Sequence, residues 1–150
     1  MQRLLKYWLP VLVWLCFIFI GSSDLMSAEQ TSRIIRPFLR WLKPDISVEA
    51  IAQVQFVVRK CAHVTEYAIL AMLLWRALRG TLTSTRTLAI AALAFVASAI
   101  FAASDEFHQS FVPSRTASPI DVMIDVTGTL IGLATCVAVA SRKVLKEKRF

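Results

Sequence analysis

The sequence predicts an all-α polytopic membrane protein, with four transmembrane helices and an interfacial amphipathic helix between the first and second. Two observations carry that fold class. The 150 residues are 57% hydrophobic and only 18% charged, too few charges for the water-facing surface of a soluble domain. Four stretches are also long and apolar enough to suit a bilayer about 30 Å thick, which takes about 20 residues of helix. The net charge of +7 is spread between and after the apolar runs, so it points to anionic lipid head groups and away from nucleic acid. Cys16, Cys61 and Cys136 lie in or beside apolar stretches without a C-x-x-C pair. They read as small buried hydrophobes, so neither a disulfide nor a zinc framework is expected, and no cofactor is implied. Residues 1–150 form a single domain without internal repeats.

The first span covers residues 7–23 and carries no charge. It follows Arg3 and Lys6 in the manner of a secretory leader, but Ala28 has Met26 two positions before it, a poor cleavage pattern, and Trp8 and Trp14 suit a retained anchor. Residues 27–43 come next. Ser27 and Gln30 have capping-box spacing and Pro44 stops the helix. At about 100° per residue, Ile34, Ile35, Phe38, Leu39, Trp41 and Leu42 fill one arc, and Arg33, Arg36, Arg40 and Lys43 the other. That pattern predicts a helix lying flat on head groups; the alternative is a loop helix packed on its neighbours, and Pro37 weakens its continuity. The second span, residues 61–78, contains His63, Glu66 and Arg76. The third, residues 87–104, is uncharged, and the fourth, residues 119–141, opens with Asp121 and Asp125. With the N-terminus in the cytoplasm, ten of the seventeen Lys and Arg lie inside: Arg3, Lys6, Arg76, Arg79, Arg86, Arg142, Lys143, Lys146, Lys148 and Arg149. The positive-inside rule therefore places both termini in the cytoplasm.

Ionisable groups inside spanning helices are expensive and mark function by default. Arg59, Lys60, His63, Glu66 and Tyr67 share an arc of about 120°. Asp121, Asp125, Gly128 and Gly132, spaced by four, three and four, form a stripe on the fourth span. Asp105, Glu106 and Gln109 share a face at the end of the third, and Arg115 follows in the next loop. In this topology all of them meet at the outer side, with His108 close by. Carboxylates so close together cannot all ionise easily, and such groups suit general acid–base work. Arg115 with Lys60 suits a phosphate or carboxylate ligand. The structural alternatives are a His63–Glu66 hydrogen bond within the bundle, and Asp121 and Asp125 neutralising Arg115 and Lys60. A divalent metal is disfavoured because no H-E-x-x-H or similar spacing occurs. Gly128-x-x-x-Gly132 suits tight packing within the chain better than oligomerisation.

Lys60-x-x-His63-x-x-x-Tyr67, then Asp105-Glu106-x-x-Gln109-x-Phe111-x-Pro113-x-Arg115, then Ser118-x-x-Asp121 with Gly128 and Gly132 downstream, resembles the VanZ-like family of small bacterial membrane proteins. The aromatic first helix ending in Ser22-Ser23 is similar too. The resemblance covers nearly the whole chain. It implies a cell-envelope role in the bacterial cytoplasmic membrane, of the kind associated with low-level resistance to the glycopeptide teicoplanin. An older phosphotransbutyrylase label used in the family has no support in this chain. Where the family commonly has Asn four residues after the motif Asp, this sequence has Asp125.

Three functions remain open at this level. An extracytoplasmic polar pocket binds a lipid or lipid-linked cell-wall intermediate through Lys60, Glu66, Tyr67, Gln109, Arg115 and Asp125. Alternatively, a membrane-embedded enzyme uses Asp105, Glu106 or Asp121 as acid or base and His63 as proton shuttle, although no activated Ser or Cys nucleophile is evident. In the third reading the cluster is an internal ion-pair network of a structural scaffold.

Overall fold

The structure, a computed structural model, describes residues 2–23, 28–82, 86–113 and 117–147. Five helices follow in order: α1 (Gln2–Gly21), α2 (Ala28–Leu42), α3 (Val48–Thr81), α4 (Thr87–Gln109) and α5 (Pro119–Glu147), with no strand among the described residues. Local chemistry sets the ends. Ser47 caps α3 by accepting a hydrogen bond from the Ala50 amide at 3.1 Å, with Glu49 in the first turn. Ser118 accepts from the Ile120 amide at 3.3 Å, and Pro119 takes the first helical position of α5, where its missing N–H costs nothing.

By length and composition three helices are apolar enough to cross a membrane: Gln2–Gly21, Thr87–Gln109 and Pro119–Arg142. The expected second span is the exception. It lies within α3, which starts well before residue 61, and Arg59, Lys60, His63, Glu66, Arg76 and Arg79 interrupt its apolar sequence. Its 34 residues would reach about 51 Å, against about 30 Å of hydrocarbon.

The molecule is apolar on the outside. Leu5, Leu12, Phe17, Val96, Ile100, Met123 and Ile131 are all exposed, whereas Ser98, Glu106, Gln109, Asp121, Asp125 and Thr129 are buried. A water-soluble domain would have these reversed, and so large an apolar surface fits lipid. α2 is continuous through Pro37, losing one internal hydrogen bond there. Ile34, Phe38, Trp41 and Leu42 project from it uncovered, while Gln55 Nε2 donates to Ser32 Oγ at 2.9 Å and ties it to α3. The capping residue expected at Ser27 lies outside the described residues.

α3 touches every other helix and makes its longest contact with α5. Gly128 of α5 faces the Val64 carbonyl and Gly132 the Ala68 carbonyl, so the two helices run in the same direction. Trp14 reaches Glu66 and Tyr7 covers Gly80, which makes α1 antiparallel to α3. Ser98 hydrogen-bonds Thr129 at 2.8 Å and Glu106 reaches Ser118, so α4 is antiparallel to α5. Both glycines of the stripe are buried against α3, and the close approach they permit is made within the chain.

At the opposite end of α3 a Cβ on Gly80 would lie 2.6 Å from the Tyr7 ring, over which Arg76 and Lys6 also sit at 5.3 and 5.8 Å. Gly80→Val is expected to destabilise the bundle by about 1–3 kcal/mol. Thermal unfolding in detergent measures it, and Tyr7→Ala in the same chain should restore part of the loss by vacating the space.

Candidate functional site

The parallel course of α3 and α5 sets two polar stripes face to face. Lys60 pairs with Asp121, and one turn deeper His63 Nδ1 lies 2.9 Å from Asp125 Oδ1. Asp125 is 1% exposed, so the acid of this second pair is sealed from solvent while the His63 ring stays partly exposed. The His63–Glu66 bond anticipated from their i, i+3 spacing is not the one His63 makes; its ring turns across to α5. Glu66 instead has its backbone carbonyl capped by Trp14 Nε1 at 2.9 Å.

The end of α4 completes the arrangement. The buried Gln109 donates through Nε2 to Asp105 Oδ2 at 3.0 Å and to Ser22 Oγ at 3.5 Å. Glu106 accepts from the Ser118 backbone amide, fastening the start of α5 to α4. Tyr67 of α3 is buried, 1% exposed.

Above these pairs is a cavity of about 360 Å³ lined by Phe56, Arg59, Lys60 and His63 of α3, Gln109 of α4, and Ser118, Ile120, Asp121 and Ile124 at the start of α5. Its size falls within the usual range for small-molecule sites. A second cavity of about 260 Å³ lies toward α1 and shares Arg59, His63 and Gln109 with the first. The cavities thus join the groups from α3, α4 and α5 at one end of the bundle.

Of the residues singled out from sequence, Lys60, His63, Gln109 and Asp121 line the first cavity, and Glu66 lines the second. Asp105, Glu106 and Asp125 line neither cavity but hold the lining residues Gln109, Ser118 and His63 in place, and Tyr67 is buried without lining either. Arg115 lies outside the described residues. His108 points away, its ring 4.5 Å from that of Phe19 on α1. Sequence reasoning quoted Ser22 and Ser118 only within the family resemblance and gave neither a lining role, and it overlooked the buried Ser98–Thr129 bond below. A small hydroxyl at the end of a span, or facing another across two apolar helices, was the available signal. Among the described residues, Arg59 Nε, Tyr67 OH, Glu106 Oε2, His108 Nδ1 and Asp125 Oδ2 are buried without a hydrogen-bond partner. Such atoms are rare in folded proteins, and each calls for an explanation such as strain, a catalytic role, a water or an ion. No three His, Cys, Asp or Glu side chains among the described residues are grouped closely enough to hold a metal ion.

The model of the family described as VanZ/LLP1 matches residues 7–140. No curated protein and no solved structure matches. The match begins within α1, ends within α5 and takes in every side chain that lines the two cavities, and the chain belongs to the VanZ/LLP1 family.

Proposed function

We propose that the α3–α5 cavity is the head-group site of a lipid or lipid-linked cell-wall intermediate, held by a multi-pass protein of the bacterial cytoplasmic membrane. The observation that carries this reading is the cavity itself: charged and hydrogen-bonding side chains line it within a bundle whose outer surface is apolar. A ligand meeting it from the bilayer has a polar end and an apolar end. In the same reading α3 is the fourth span, its charges tolerated because they face α5 and the cavity instead of lipid. α2 lies at the outer interface with Ile34, Phe38, Trp41 and Leu42 in the acyl region. Both termini are cytoplasmic, and Arg142 and the basic residues after it meet anionic head groups. Occupying or altering a lipid near a glycopeptide's target would connect the site to teicoplanin resistance.

Native mass spectrometry of the purified chain tests the reading, with a lipid expected to remain bound. Lys60→Met with Asp121→Leu replaces the lining ion pair by apolar groups, an exchange that commonly leaves a buried site folded. The double variant should retain at least tenfold less lipid. A wild type that carries no lipid, or a folded double variant that carries as much, would overturn the proposal.

A second reading, an enzyme acting on the same head group by acid–base chemistry, is favoured by one feature: His63 lines the cavity while its Nδ1 is held at 2.9 Å by the buried Asp125. A base oriented from behind by a carboxylate is the usual arrangement for proton transfer. Asp121 is then the carboxylate within reach of a ligand, whereas Asp105 and Glu106 act through Gln109 and Ser118.

A further inference from the structure

The second cavity differs in character from the first. Phe17 and Ile20 of α1 and Val58 and Ala62 of α3 form its sides, with Gly21, Ser22, Thr31, Arg59, His63, Glu66 and Gln109 completing it. Phe17, Ile20 and Val58 are 48%, 53% and 47% exposed, so the cavity is a groove open sideways between α1 and α3. With α1 and α3 as spans, as in the reading above, that opening faces the acyl chains of the bilayer. Arg59 stands where the groove joins the head-group cavity, since it lines both. Its Nε is buried and has no hydrogen-bond partner among the described residues, whereas the neighbouring Lys60 is already neutralised by Asp121. A buried donor on a permanent cation, placed between an apolar groove and a polar cavity, matches the phosphate of a phospholipid, which sits between chain and head group in the same order.

We propose, resting on the head-group reading above, that the protein takes a phospholipid sideways from the bilayer. One acyl chain lies in the α1–α3 groove, the phosphate meets Arg59, and the rest of the head group enters the α3–α5 cavity. Gly21 belongs to this design, because a larger residue there would narrow the groove beside Glu66, whose Oε1 is 3.8 Å from where its Cβ would stand.

The test uses the full chain in detergent, titrated with phosphatidylglycerol and with glycerol 1-phosphate, which has the phosphate without chains. Phosphatidylglycerol should bind at least a hundredfold more tightly. Ala62→Trp, which fills the groove from an exposed position, should reduce that ratio at least tenfold, and Val58→Phe provides the same test if the Trp variant does not fold. Arg59→Gln should weaken both ligands at least tenfold, and diacylglycerol should bind the wild type no better than it binds Arg59→Gln. Unchanged ratios in a folded groove variant would overturn the proposal, as would diacylglycerol binding as tightly as phosphatidylglycerol. An isoprenyl phosphate displacing phosphatidylglycerol would overturn the assignment of an acyl chain. If glycerol 1-phosphate binds as well as the lipid, this inference fails while the head-group reading stands. If neither binds, this inference fails, and a wild type that also carries no lipid in native mass spectrometry takes the head-group reading with it.

Discussion

Gly128→Leu is expected to abolish the folded protein. A Cβ at this position would clash with the Val64 carbonyl oxygen and lie 3.0 Å from its carbon, and backbone cannot move aside as a side chain can. Even Gly128→Ala sets two effects against each other. Alanine gains about 1 kcal/mol of helix propensity over glycine, while forcing a packed interface apart costs about 1–3 kcal/mol. The second should win, because separating α3 from α5 here also stretches Lys60–Asp121, His63–Asp125 and the Gly132–Ala68 contact. Leucine adds three more carbons and leaves no compromise. Yield of monodisperse protein and the unfolding temperature in detergent measure the series, expected in the order wild type, Ala, Leu. An alanine variant as stable as wild type would show that α3 and α5 do not pack this closely.

Asp125→Ala carries the next largest effect. It leaves the His63 ring facing an empty space, and loss of the buried acid should cost about 3 kcal/mol, the upper end for leaving a buried polar group unsatisfied. Asp125→Asn keeps the shape and an acceptor for a ring N–H. Its loss should be nearer the 0.5–1.5 kcal/mol of one hydrogen bond, as about that much separates a made from an unmade bond. Measuring unfolding and lipid retention on both variants separates the functional readings. A folded Asn variant that still holds lipid, yet no longer changes it, supports acid–base chemistry at His63. Loss of the lipid supports binding alone. If Asn and Ala are equally destabilised with lipid retained, the pair is a structural tie.

Much of this arrangement was legible in the residues. The uncharged stretches locate α1 and α4, because a helix in lipid tolerates little else, and the four-three-four spacing from Asp121 to Gly132 identifies the face that α5 turns to α3. The shared arc on α3 was equally visible, since it needs only the helical period. Two things were not. The start of α3 depends on Ser47 as a cap and not on hydropathy, so reading the span from its apolar residues missed the preceding turns. The partner of His63 was also hidden: Glu66 is near in sequence, but only the glycine-permitted approach of α5 brings Asp125 to the ring. Asp105 shows the converse. Its partner Gln109 is one turn along the same helix, so a residue that seemed destined for the ligand is engaged locally instead.

The parallel pairing of α3 with α5 also bears on how the protein is made. The partners of Lys60 and His63 follow them by 61 and 62 residues, so a ribosome completes α3 and then all of α4 before either acid emerges. Until α5 arrives, Lys60 and His63 of α3 have neither of these acids beside them. The pocket therefore assembles only once α5 has been made, and a chain that stops after α4 would leave Lys60 and His63 without these acids, a state that quality-control proteases could recognise.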